Sequence, residues 1–140
     1  MRIEIPQDKK FVHESIIPIR WGDMDALGHV NNAVYFRYIE QARINWLDSF
    51  NLAISREDQG VVVVNAFCNF MKQITYPASL IVKTYIANPT RVGVDTFNLM
   101  SLTTDPDTIY AAGGATMVWV DFKAQKAISW PADMKERFLI

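Results

Sequence analysis

A single substantial stretch of this 140-residue chain keeps a helical period, and that constrains the fold more than any other feature. From about Ala33 to Asp48, residues Tyr35, Tyr38, Ile39, Ala42 and Trp46 fall at i, i+3, i+4, i+7 and i+11 and form one apolar stripe. Arg37, Gln41 and Asn45 lie on another face, and Asn31 or Asn32 is a natural N-cap, because its side-chain oxygen can accept from the first free amides. After Gly60 the pattern is β-like to the end: "VVVVNAFCNFMKQITYP", "SLIVKTYIAN", "VGVDTFNLMSLTT", "TIYAAGGATMVWVDF" and "KAISW", divided by turn residues such as Asn88-Pro89 and Asp105-Pro106-Asp107. Residues 11–20 read as a first strand, with Pro18 marking an edge or a bulge. One helix with that many meandering strands predicts an α+β fold, an antiparallel sheet of about five strands curled around the helix. Residues 1–10 read as polar and frayed, residues 51–60 as a loop or short turn, and "PADMKERFLI" as a short closing helix with Pro131 near its first turn.

The length fits one domain spanning residues 1–140, and half of the residues are hydrophobic, enough to fill a core. A net charge of -1 gives no footprint for nucleic acid or an anionic membrane. No apolar run approaches the roughly 20 residues that cross a bilayer, and the N-terminus lacks the layout of a signal peptide. The single cysteine, Cys68, cannot build an intrachain disulfide framework and fits a reducing compartment. The expected location is the cytoplasm.

The polar chemistry is concentrated just before the helix, in "RWGDMDALGHVNNAVYF", Arg20 to Phe36. "DMDALG" imitates the start of a calcium loop, but Leu27 and Val34 stand where that loop needs oxygen ligands. His13 and His29 are too far apart for one helical face, and Cys68 has no partner at zinc spacing. His13 reads as a solvent-facing strand residue. A phosphatase built on paired aspartates needs an alternating βα pattern that is missing. A Cys68–His29 nucleophilic pair is conceivable, although "NAFCNF" reads as the setting of an inert core thiol. Two readings remain. In one, the first amides of the helix, which lack intrahelical acceptors, stabilise an oxygen that becomes negative, while Asp25 acts as base or nucleophile beside Val30, Asn31 and Asn32. In the other, Asp23, Asp25 and the asparagines only cap and turn the chain, with Gly22 and Gly28 as turn glycines.

"WGDMDALGHVNNAVYFRYIEQAR" resembles the signature of hotdog-fold acyl thioesterases of the 4-hydroxybenzoyl-CoA thioesterase type, and plant acyl-ACP thioesterases show a related segment. "VVVNAFCNFMKQITYPASLIVKTYIANPTRVGVDTFNLMSL" and "AAGGATMVWVDFKAQKAISWPADMKERF" resemble that family's strands and closing tail, so about 120 residues are covered. The resemblance implies a hotdog fold and hydrolysis of an acyl-CoA, or an acyl-ACP, to a free acid without cofactor or metal. It implies Asp25 as the catalytic carboxylate, Asp23 as structural, and the amide of Asn32 or its neighbours as the oxyanion site. His29 matches a histidine of the acyl-ACP signature; Leu27 departs from that signature, which has asparagine there. Asn31, Tyr35, Phe67 and Phe70 are assigned to substrate binding, with Tyr38 and Met71 as further acyl-pocket candidates, and Arg91 in "NPTRVG" to the CoA phosphates. Glu40 is expected to pair at the surface with Arg37 or Arg43. The same family implies a homodimer or dimer of dimers with sites shared between subunits. A non-catalytic acyl-CoA-binding module and an acyl hydratase or dehydratase are the alternatives on this fold.

Overall fold

The computed structural model describes residues 1–138. The strands are β1 (Lys10–Pro18), β2 (Ser55–Arg56), β3 (Gln59–Phe70), β4 (Ser79–Ala87), β5 (Gly93–Leu102), β6 (Ala111–Asp121) and β7 (Lys126–Ala127), and the helices are α1 (Asn32–Asp48) and α2 (Ala132–Lys135). All strand pairs are antiparallel, in the order β1-β4-β5-β6-β3-β2, with β7 appended to β6. The sheet therefore has seven strands rather than about five: five are long, and β2 and β7 contribute two residues each. The sheet curls around α1, the hotdog arrangement.

Alternation along the strands decides what faces the helix. Leu80, Val82, Met100 and Ala111 pack with Tyr35, Tyr38, Ile39 and Ala42 around the first half of α1. Ile86, Val94, Met117 and Trp119 pack with Trp46, Leu47 and Phe50 around the second half. Trp130, Met134 and Phe138 close that end, so "KAISW" stays in strand only at Lys126–Ala127 before Trp130 turns into the core. The stretch "AAGGA" in β6 lets the helix sit close. A Cβ on Gly113 would lie 2.7 Å from Cδ1 of Ile39 and 2.6 Å from the Phe67 carbonyl oxygen, nearer than packed atoms tolerate.

β1 is one edge of the sheet, as Pro18 suggested, with an irregularity between Phe11 and His13. His13 is half-buried rather than solvent-facing, its Nδ1 3.4 Å from Oγ of Ser15, which accepts in turn from Asn45. The other edge is nearly bare. β2 pairs with β3 only at Gln59 and Gly60, Val61 N–H still donates to the Ile54 carbonyl at 3.1 Å, and beyond Val61 the backbone of β3 pairs with β6 alone. A bulge interrupts β3: Val63 faces Met117 and Asn65 faces Thr116, leaving Val64 unpaired. The N-terminal residues are anchored rather than frayed. The Asn69 side chain accepts from the Ile3 amide at 3.3 Å and donates to its carbonyl at 2.8 Å.

Candidate active site

The loop before α1 is ordered by backbone bonds. Met24 and Val30 form a bridge, Asp25 N–H donates to the His29 carbonyl at 2.8 Å, and Gly28 N–H donates back to the Asp25 carbonyl at 3.0 Å. Gly28 has φ of 81°, a left-handed conformation that glycine takes without steric cost. This tight turn brings Asp25 and His29 together at its base.

The two aspartates have different surroundings. Asp23 is buried, and its Oδ2 accepts from the Arg20 amide at 3.0 Å and from the Tyr38 hydroxyl at 2.8 Å. Its backbone carbonyl accepts from Asn31 N–H at 3.0 Å, tying the loop to the helix entrance. Burial, followed by the bond to Asp23 and that carboxylate's charge, raises the Tyr38 pKa far above its ordinary value, so this hydroxyl stays a donor. Asp25 is exposed. Its Oδ1 accepts from Leu27 N–H at 2.9 Å, and its Oδ2 has no hydrogen-bond partner among the described residues. An aspartate turned into the fold and another turned out of it follow from the 3₁₀ turn at Trp21–Asp23, which rotates the chain between them.

The helix start is capped with one amide left over. Asn31 is the N-cap, its side-chain oxygen accepting from Ala33 N–H at 2.9 Å and its carbonyl from Val34 N–H at 2.9 Å. Asn31 N–H is taken by Asp23, so of the amides from Asn31 to Val34 that of Asn32 alone has no acceptor among the described residues. It carries the positive end of a 17-residue helix.

Asp25, His29, Asn32, Tyr35, Phe70 and Lys72 are among the residues lining one cleft of about 360 Å³. Tyr35 meets Phe70 edge-on, ring centroids 4.9 Å apart, so the apolar end of the cleft lies between α1 and the end of β3. Burial, with a smaller contribution from Cys68, raises the Tyr35 pKa and keeps that ring neutral. Met71, an expected acyl-pocket residue, lines the cleft, and Lys72 and Gln73 line it beside Met71; the only sequence signal of these two is following "CNFM" at a strand end.

Other expected residues lie elsewhere. The Asn31 side chain is committed to the cap. Phe67 is on the opposite face of the sheet, against Phe97 at 6.4 Å, and lines a different hollow with Asn65 and Asp95. Arg91 sits at the β4–β5 turn and donates to Ser129 Oγ at 2.8 Å. Tyr38 is occupied by Asp23, and Glu40 pairs with Arg37 at 2.9 Å. Cys68 packs beneath Tyr35 in the apolar cluster, where burial pushes its thiol up to about 12, which disfavours a nucleophilic thiolate. No three His, Cys, Asp or Glu among the described residues are grouped to hold a metal, and no described helix is long and apolar enough to cross a membrane.

In chemical terms the cleft offers an exposed carboxylate oxygen and an unsatisfied helix amide, with an aromatic floor beside them. That set can polarise a carbonyl and deliver an oxygen nucleophile to it.

Residues 19–138 match the Thioesterase-like superfamily. Long-chain acyl-CoA thioesterase FadM of Escherichia coli is 25% identical over 131 residues, covering 86% of this chain and 92% of FadM. The chloroplastic acyl-acyl carrier protein thioesterase ATL2 of Arabidopsis thaliana is 27% identical over 114 residues, 79% of this chain but only 60% of ATL2. The solved structure of the PA2801 protein of Pseudomonas aeruginosa superposes with a TM-score of 0.85 at 29% identity, covering 91% of this chain and 98% of that one.

Proposed function

Since the chain belongs to the Thioesterase-like superfamily, we propose that it hydrolyses an acyl-CoA thioester to a free carboxylic acid and CoA, with Asp25 as base or nucleophile and the Asn32 amide as the oxyanion donor. The observation that carries this reading is the pairing, in one cleft, of a free Asp25 Oδ2 with the one unsatisfied amide at the start of α1. The thioester carbonyl oxygen takes the Asn32 N–H. Asp25 Oδ2 then either accepts a proton from attacking water or attacks the carbonyl carbon itself. The tetrahedral oxygen's charge falls on the helix end, and collapse releases the CoA thiolate, a good leaving group; the water route gives the acid directly, whereas attack by Asp25 leaves an acyl-aspartyl anhydride that water then hydrolyses to the acid and the free carboxylate. His29 lies at the cleft wall, where it orients Asp25 or contacts the substrate. CoA is preferred to a carrier protein as the acyl donor because Leu27 replaces the asparagine of the acyl-ACP signature.

The working form we propose is a dimer joined along β3. That edge bears unpaired backbone groups beyond Val61 and exposes Val63 and Val64, an arrangement that invites strand addition. Phe70 and Met71, at the end of the same edge, line the cleft, so a second chain there would border the site.

Asp25→Asn is the direct test of the reaction. The change keeps size and removes the base or nucleophile, so thiol release from acyl-CoA should fall by at least about 100-fold with thermal stability nearly unchanged. Turnover close to that of the unaltered protein would reject the assignment, whereas binding of acyl-CoA without thiol release by the unaltered protein would identify a binding module.

A further inference from the structure

The cleft around Asp25 shares a wall with a second pocket on the other side of the sheet. Met71, the residue after β3 ends, lines both. The second pocket has a volume of about 310 Å³. Its floor is Met71, Leu99, Ile109 and Ala112, and the N-terminal segment covers it with Ile3 and Ile5. That segment is pinned at two points. Asn69 clamps the Ile3 backbone through its side-chain amide, and the Lys9 ammonium donates to the Pro6 carbonyl at 2.9 Å while lying 5.1 Å above the Tyr85 ring.

We propose that this second pocket receives the far end of a straight fatty acyl chain, which leaves the Asp25 cleft by crossing the end of the sheet at Met71. The inference rests on the thioester-hydrolase reading above and adds a site for the substrate's tail. Three observations select an alkyl chain. The apolar part of the Asp25 cleft is confined to Val30, Tyr35, Phe70 and Met71 with the exposed Leu27, because the remaining walls carry Asp25, His29, Asn32, Lys72 and Gln73. A long chain must therefore continue elsewhere or stay in water. The second pocket adjoins that apolar end across Met71, which lines both and whose unbranched, adaptable side chain can swing to open a path. Its ionic groups offer nothing strong to a polar ligand: Lys9 is already engaged by Pro6 and Tyr85, and Arg2 and Glu4 are exposed and of opposite sign. The N-terminal segment then acts as the measure of chain length, with Asn69 as its positioning residue.

Each methylene buried there should raise kcat/KM about fourfold. The test uses the full chain with butyryl-, octanoyl-, dodecanoyl- and hexadecanoyl-CoA, and the variants Ile109→Asp and Asn69→Ala. Ile109 is partly exposed and outside the Asp25 cleft, so the aspartate is tolerated by the fold and places a charge on the alkyl path. For the unaltered protein kcat/KM should keep rising from octanoyl- to dodecanoyl-CoA. In both variants the dodecanoyl-to-butyryl ratio should fall at least about tenfold, through KM more than kcat. A rate that peaks at butyryl-CoA, or a ratio unmoved in both variants, overturns the proposal. Binding of dodecanoate, measured by calorimetry, supplies a reading independent of turnover. Absence of hydrolysis with every acyl-CoA rejects the thioesterase assignment; in that case weakened dodecanoate binding in Ile109→Asp upholds the tail pocket, and unchanged binding rejects it.

Discussion

Replacing Tyr38 with phenylalanine removes one oxygen atom from the protein and one donor from a buried carboxylate. Asp23 Oδ2 accepts from Tyr38 at 2.8 Å and from the Arg20 amide at 3.0 Å, and Oδ1 lies 3.7 Å from Nε of Arg20. The phenyl ring keeps every apolar contact of Tyr38 with the core, so the loss is confined to the hydrogen bond. A bond to a charged acceptor is worth about 1.5–3 kcal/mol, and leaving a buried carboxylate short of a donor costs within the same range. Arg20, whose side chain is largely exposed, can draw closer to Asp23 and recover part of this. The expected destabilisation is therefore about 1.5–2 kcal/mol, toward the lower end of that range. With a urea slope of roughly 2 kcal/mol per molar for a chain of this size, the midpoint should drop by about 1 M at unchanged slope. Tryptophan fluorescence is a suitable probe, because Trp46, Trp119 and Trp130 sit in one core cluster. The Asp23 carbonyl also holds the amide of Asn31, so a loosened Asp23 should lower kcat, though less than Asp25→Asn does. A midpoint shift below about 0.3 M with the slope preserved would show that Asp23 is held by the backbone and Arg20 without help from Tyr38.

Cys68, with its thiol pushed up to about 12 by burial, should resist iodoacetamide at pH 8 in the folded protein and react readily in urea; Cys68→Ala should keep its turnover, and inactivation of that folded variant would return the cysteine to the reaction. If the cleft is shared between chains, mixing Asp25→Asn with a variant carrying a disruptive change on β3 should restore part of the activity under subunit exchange, and full activity from a sedimenting monomer would refute the shared site.

The legible parts of this protein are those with a period or a cap. The apolar stripe from Tyr35 to Trp46 placed α1 to within one residue of its observed start, and Asn31 is the cap because a side-chain oxygen at that point can reach Ala33. The separation of Asp23 from Asp25 was available through the resemblance, and the geometry gives a reason for it: one carboxylate meets Tyr38 in the core, the other only Leu27 at the surface. Phe67 was harder to place. The run from Val61 to Phe70 looks uniform, but the bulge at Val64 changes which residues face the helix, and Phe67 falls on the far side with Phe97. The N-terminal residues read as frayed because their anchor, Asn69, is 66 residues away and looks like any polar strand residue. Arg91 was readable as an exposed turn arginine; its bond to Ser129 depends on how the β4–β5 turn meets the closing tail, which no local pattern encodes.

The bulge at Val64 has a consequence for the bare edge on which it lies. A regular edge strand is a ruler with identical marks: a second strand can slide along it by two residues and find the same bonds and the same faces. Between Val63 and Asn65 one mark is out of step, so the stretches on either side are out of phase with each other. A strand added across that point matches both stretches in one alignment and loses bonds in any other. Extended cross-β stacking requires sliding, repeatable matches over six or seven residues, and the defect denies them to the middle of the edge. The same irregularity that obscures the strand's faces in the sequence thus narrows the alignments open to any strand that would add to this edge.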